Sequence, residues 1–185
     1  MSEYRRLTTR EVARFVARGY LMFEALTPPE IAERYLEESA TGGPPAVPAG
    51  TPLAEAYPDG TALRMLVDDP GVRGILDSLV GPGPLVDHHF VHLTLGEPER
   101  AAFGLTDPLP SQHWHQDSTI DTRQAFDVQI MWYPHEVTAD MGGTRFLPGS
   151  HLRVVSEAAI GRYQNIRGQR HVVCRRHHRG WLGVE

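Results

Sequence analysis

The residues best suited to chemistry in this chain lie together in Ser111-Gln112-His113-Trp114-His115-Gln116-Asp117-Ser118. In an extended strand alternate side chains share a face, so His115 and Asp117 would point one way and Trp114 and Gln116 the other. One imidazole and one carboxylate from a single strand supply two of the three donors in the 2-His-1-carboxylate face that holds non-haem Fe(II). A third donor must then come from later in the chain. The competing reading is a polar surface strand or loop, because His-x-Asp triplets also arise by chance. The surrounding chain has to separate the two.

A chain of 185 residues is long enough for one domain with a real hydrophobic core. Its net charge of -5, from 23 acidic and 18 basic residues, argues against a general nucleic-acid binder. Every basic residue is arginine and lysine is absent, a compositional bias that lowers the functional weight of any single arginine. Cys174 is the sole cysteine, which excludes an internal disulfide and a thiolate zinc cluster within one chain. The first ten residues carry charges with no apolar run behind them, so no signal peptide is expected. Nowhere do 18 apolar residues run together, so no membrane span is expected either, and a reducing, cytoplasmic setting is the expectation.

The elements that must position the site begin with a helix. Thr8 can cap it, Glu11 stands at its third position, Leu7 can staple onto Val12, and Val12, Phe15 and Val16 form its apolar stripe up to Gly19. Tyr20 to Phe23 reads as a short strand. A second helix is expected from Pro28 to about Glu38, with Thr27 as its cap. Residues 40–60, rich in Gly, Pro and Ala, read as a loop or cover segment. Another helix is expected from Pro70 to Leu79, capped by Asp69 and stopped before Gly81-Pro82. This helical part, about residues 1–80, should pack on one side of a sheet formed by about residues 84–185.

Strand character starts at Leu85 and continues to Leu95, and its histidines, His88, His89 and His92, are read as occupants of a half-buried strand rather than as ligands. The long connection from Gly96 to Pro110 leads into the His115 strand and is placed to form the mouth of a site. In the next strand Phe126, Val128, Ile130 and Trp132 share one face, and Asp127, Gln129, Met131 and Tyr133 share the other. Such a strand suits the wall of a barrel holding a polar small molecule, and equally a sandwich with one wet face. Gly142-Gly143 and Pro148-Gly149 mark turns around Thr144 to Leu147, and His151, just beyond, is read as a hydrogen-bonding residue that pins the turn. Leu152 to Ile160 fits helix or loop. His171 to Cys174 looks like the start of a strand, and from Arg175 onward neither strand alternation nor a helical stripe is visible.

Taken in order, the opening over Leu7 to Glu37, Trp114-His115-Gln116-Asp117, Gln129-Ile130-Met131-Trp132-Tyr133 and Gly142-Gly143-Thr144-Arg145-Phe146-Leu147-Pro148-Gly149-Ser150-His151 resemble the phytanoyl-CoA dioxygenase family of Fe(II)- and 2-oxoglutarate-dependent oxygenases. The resemblance covers most of residues 5–155. It implies a mainly β fold with packed helices, a double-stranded β-helix of the jelly-roll, cupin-like kind, incomplete at its C-terminal end. It implies Fe(II), with 2-oxoglutarate and O2 as cosubstrates, a small organic substrate that is hydroxylated, and no nucleic-acid or membrane partner. His115 and Asp117 match two iron ligands, whereas His151 matches the Pro-Gly-Ser-His element, which is not the distal ligand. His171 comes too early for that ligand, so His177 or His178 is the candidate, and Arg179 is too close to serve as the family's 2-oxoglutarate arginine. Gln129 and Tyr133 are candidates for lining the cosubstrate pocket. Arg145 is either a carboxylate partner, through its planar fork, or a surface residue on a turn. Two rivals stay open: a cupin-like metalloenzyme that does not use 2-oxoglutarate, and a truncated, non-catalytic homologue serving as a structural or interaction module.

Overall fold

The computed structural model describes residues 3–42, 46–87, 89, 91, 128–138, 141 and 144–152, with the backbone of 181–183. Helix α1 (Thr9–Arg18) opens on the expected capping box. The Thr8 hydroxyl accepts from the Glu11 N–H at 3.3 Å, and the Glu11 carboxylate accepts from the Thr8 N–H at 2.8 Å, so two orphan donors of the first turn are satisfied. The Arg5 guanidinium forks onto the same carboxylate at 2.9 and 3.1 Å. That fork and the Thr8 N–H hold the Glu11 carboxyl at about 2, below its ordinary 4.5. Gly19 ends the helix in the left-handed region, at φ 82°. The apolar stripe is narrower than its spacing suggests: Phe15 is buried, but Val16 is 59% exposed, because α1 packs mainly on the strand that follows it.

Strand β1 (Tyr20–Met22) leads to α2 (Pro29–Thr41). The second helix starts one residue later than predicted. Pro28 takes the cap position without a side-chain cap and Pro29 is the first helical residue, while Thr27 is buried beside them. It also outlasts Glu38, whose carbonyl accepts from the Gly42 N–H at 3.2 Å and the Thr41 hydroxyl at 2.9 Å, carrying the last turn forward.

The sequence carries no clear signal for α3 (Ala62–Asp68), since seven residues make barely two turns. Thr61 caps it, and the Glu38 carboxylate of α2 reaches over to accept the Ala62 N–H at 3.1 and 3.2 Å. One helix thus caps another. Helix α4 (Pro70–Leu79) has the predicted bounds: buried Asp69 accepts from the Gly71 and Val72 N–H groups at 2.9 and 3.2 Å, and Pro70 needs no partner at the first position. The backbone of Arg5 crosses α4 at Gly74 so closely that a Cβ there would overlap it. The crossing is fastened by the Leu7 N–H donating to the Ser78 hydroxyl at 2.9 Å and the Tyr4 hydroxyl donating to Asp77 at 3.0 Å.

Ile31, Leu66, Val72, Ile75 and Leu76 form the core between α2, α3 and α4, with Ile75 fully buried. Against it lie Val128, Ile130 and Trp132, the predicted apolar face of strand β4 (Gln129–Met131). The helices therefore cover one side of a sheet, as the sequence predicts. The segment 40–60 is more ordered than a loop: it holds β2 (Thr51–Pro52), paired antiparallel with β3 (Leu85–Val86), and a 3-10 turn at Leu53–Glu55. The strand expected over 85–95 is a strand at Leu85–Val86, and Asp87 has already left it. His89 packs edge-on to Tyr57 at 5.5 Å, and burial lowers its pKa, which fits the reading of a half-buried structural histidine. His88, His92 and the rest of that strand lie outside the described residues.

The tail departs most from expectation. Trp181–Gly183 forms a strand, β5, in the middle of a three-stranded antiparallel sheet ordered β1-β5-β4. Leu182 stands opposite Leu21 on one side and Ile130 on the other, so the facing edges of β1 and β4 are paired rather than open. Three residues, the last of them a glycine, are too few for alternation to register in the sequence.

Two measurements check this account. Asp69→Ala removes the acceptor for two buried N–H groups and should lower unfolding free energy by about 1–2 kcal/mol in chemical denaturation; an unchanged midpoint would sink the capping assignment. Because the folded Glu11 pKa is depressed, its contribution is complete above about 4.5 and is lost as pH falls towards about 2. Arg5 is half exposed, so solvent screening leaves about 1 kcal/mol. Glu11→Gln should flatten the stability profile across that window, whereas a parallel, unflattened curve would remove Glu11 as its cause.

Candidate functional site

Alternation along β4 turns one pattern into two surfaces. Val128, Ile130 and Trp132 face the helices, so Gln129, Met131 and Tyr133 belong to the opposite face. Trp132 is fixed by an edge-to-face contact with Tyr35 of α2, ring centroids 5.2 Å apart. Packing behind the wall comes from this tryptophan; Trp114 lies outside the described residues.

The face turned away from the helices is polar. The Tyr133 hydroxyl donates to the Thr144 hydroxyl at 2.8 Å, tying the end of β4 to the segment 144–152. The Gln129 amide oxygen is buried and has no hydrogen-bond partner among the described residues. An acceptor left this way costs stability unless a ligand or water completes it. Rotation of the amide would present its NH2 group at the same place, so one side chain can serve either a donor or an acceptor.

The segment 144–152 is held at its far end by the N-terminal helix. Phe146 stacks on Tyr20 with centroids 5.3 Å apart and planes inclined by 18°, and the Gly149 N–H donates to the Arg18 carbonyl at 2.9 Å. His151 is hydrogen-bonded as expected, but to the Val16 carbonyl of α1, at 2.9 Å, rather than within its own turn. Arg145 is exposed, in a stretch that is neither helix, strand nor turn. His115, Asp117, His177 and His178 all lie outside the described residues. Among the described residues no group of three His, Cys, Asp or Glu side chains is placed to hold a metal ion. The described residues thus supply amide and hydroxyl groups of the kind a polar ligand requires, while the candidate metal donors come from elsewhere in the chain. No described helix is long and apolar enough to cross a membrane.

The helical layer thus backs β4, whose other face carries the Gln129 amide and the Tyr133 hydroxyl. The phytanoyl-CoA dioxygenase (PhyH) family model matches residues 52–176, and the chain belongs to that family. The matched span contains His115, Asp117, the β4 wall and the Pro-Gly-Ser-His turn. It leaves out α1, β1, α2 and β5, and stops just before His177 and His178. No curated protein and no solved structure matches the chain. Family members in general use Fe(II), 2-oxoglutarate and O2, so the chain is assigned to an oxidoreductase family of iron-dependent dioxygenases.

The two faces of β4 can be told apart by stability alone. Ile130→Ala should cost about 2–4 kcal/mol because it opens a hole against the helical core. Gln129→Leu removes a buried unsatisfied acceptor and should be neutral or raise stability by about 1 kcal/mol. A loss in Gln129→Leu as large as that in Ile130→Ala, read from denaturant midpoints, would mean that the amide is hydrogen-bonded in the folded protein and overturn its description as an unmet acceptor.

Proposed function

We propose that this protein is an Fe(II)- and 2-oxoglutarate-dependent dioxygenase that hydroxylates a small organic substrate inside a double-stranded β-helix. The observation that carries the reading is the family match over residues 52–176, which contains both the His115-x-Asp117 pair and the polar face of β4. His115 and Asp117 would hold the metal together, and His177 or His178 would supply the third donor. His115 would bind as neutral imidazole, its other nitrogen calling for an acceptor to fix the ring.

Bound iron with 2-oxoglutarate and O2 would supply the oxidising power to place one oxygen atom in a substrate C–H bond while the cosubstrate becomes succinate and CO2. The protein's own part is placement. Gln129 and Tyr133 line the cosubstrate pocket with amide and hydroxyl groups. Arg145 is the candidate fork for a carboxylate arriving from the solvent side. Trp132, anchored in the helical core, keeps that wall from turning. Asp117 would supply the carboxylate that related halogenating enzymes lack, which favours hydroxylation.

The test is Fe(II)-dependent succinate formation from 2-oxoglutarate, measured on anaerobically prepared protein with a panel of candidate substrates. His115→Ala and Asp117→Ala should each lower turnover by at least about a hundredfold and release bound iron. Iron retained by a folded wild-type chain without any succinate would favour a cupin-like metalloenzyme that does not use 2-oxoglutarate. A folded chain that retains no iron and gives no turnover would leave the non-catalytic structural module as the better reading.

A further inference from the structure

The last turn of an α-helix leaves carbonyl oxygens that no residue of the helix can satisfy. In α1 the Phe15 carbonyl is taken by the Gly19 N–H at 2.7 Å, as an ordinary left-handed cap. Two others are taken by residues more than a hundred positions away. His151 Nε2 lies 2.9 Å from the Val16 oxygen, and the Gly149 N–H lies 2.9 Å from the Arg18 oxygen. A carbonyl only accepts, so Nε2 carries the proton and donates. Nδ1 is buried with no partner among the described residues. The ring sits directly on Gly19, where a Cβ would come within 2.8 Å of His151 Cγ. Gly19 therefore has two reasons to be glycine: its positive φ and the ring seated above it.

We propose that His151 is a positioning residue: seated on Gly19 and hydrogen-bonded to Val16, it clasps residues 144–152 to the end of α1 and so holds Thr144 against Tyr133. The clasp binds three parts of the chain together. Gly149 adopts φ 78°, which turns its N–H towards Arg18 and brings His151 back over the helix end. The stack of Phe146 on Tyr20 secures the middle of the segment, and the Tyr133–Thr144 hydrogen bond joins its beginning to the polar wall. Loosening one end frees the other, so His151 would act on the cosubstrate pocket without touching the ligand. The effect on catalysis rests on the proposed function, but the clasp itself does not.

The experiment compares His151→Ala, His151→Asn and His151→Gln in the metal-free protein by amide hydrogen exchange, and then in the iron-loaded protein by kinetics with 2-oxoglutarate. Glutamine can place an N–H at the reach of Nε2, whereas asparagine is too short. In the alanine and asparagine variants exchange at Gly149 should quicken about tenfold, and the quickening should extend to Thr144. Glutamine should restore protection. The KM for 2-oxoglutarate should rise about fivefold in the first two variants, the loss of roughly one hydrogen bond, with kcat changed less than about twofold and glutamine recovering the KM. If alanine does not fold, asparagine carries the comparison. Unchanged exchange at Gly149, or faster exchange confined to residues 149–152, overturns the proposal. Faster exchange reaching Thr144 with an unchanged KM in an active enzyme overturns it too, since His151 would then be structural only. Were wild-type protein to give no succinate, the proposed function would fail, and exchange at Thr144 would alone decide whether His151 positions the wall.

Discussion

The facing of β4 is the constraint on which the rest depends. A strand's period is two, so a slip of one residue would drive Gln129, Met131 and Tyr133 into Ile31, Leu66 and Ile75, and turn Val128, Ile130 and Trp132 the other way. Each large apolar side chain so displaced forfeits about 1.5–3 kcal/mol of burial, before the amide and phenol are counted. No gain on the polar side could offset that. The facing of the candidate wall is thus decided behind it, by the helices.

That division of labour explains where the structure tolerates cost. The Gln129 amide oxygen, the Trp132 indole nitrogen and the His151 Nδ1 are buried without partners among the described residues. The indole and the imidazole are nonetheless anchored, one by Tyr35 and the core and the other by Val16, so their unsatisfied atoms sit beside strong contacts. Gln129 differs. Its neighbours along the strand are held, whereas its amide oxygen has no partner among the described residues.

Legibility in the sequence follows how local the cause is. Thr8, Glu11 and Gly19 fix α1, and Asp69 with Pro70 fixes the start of α4, through hydrogen bonds within a few residues, so their bounds can be read directly. Thr27 misleads by one residue because Pro28 and Pro29 both suit a helix start and only packing chooses between them. The two faces of β4 are legible because alternation and burial share one cause. The acceptor for His151 is not, since Val16 lies 135 residues away and nothing near either residue signals the other. β2, α3 and β5 are too short to carry a period, and form where neighbours supply the partners. His115 and Asp117 are prominent in the sequence through their chemistry, although they lie outside the described residues.

The position of β5 also sets an order of events for the newborn chain. Its partners in β1 are about 160 residues away, a contact whose loop-closure entropy must be met before any pairing rewards it. Because β5 is synthesised after both strands it joins, α1 to α4 can fold on local contacts while β1 and β4 wait with unsatisfied edges. Those edges are open to pairing with another chain during synthesis, and the arrival of β5 closes that exposure.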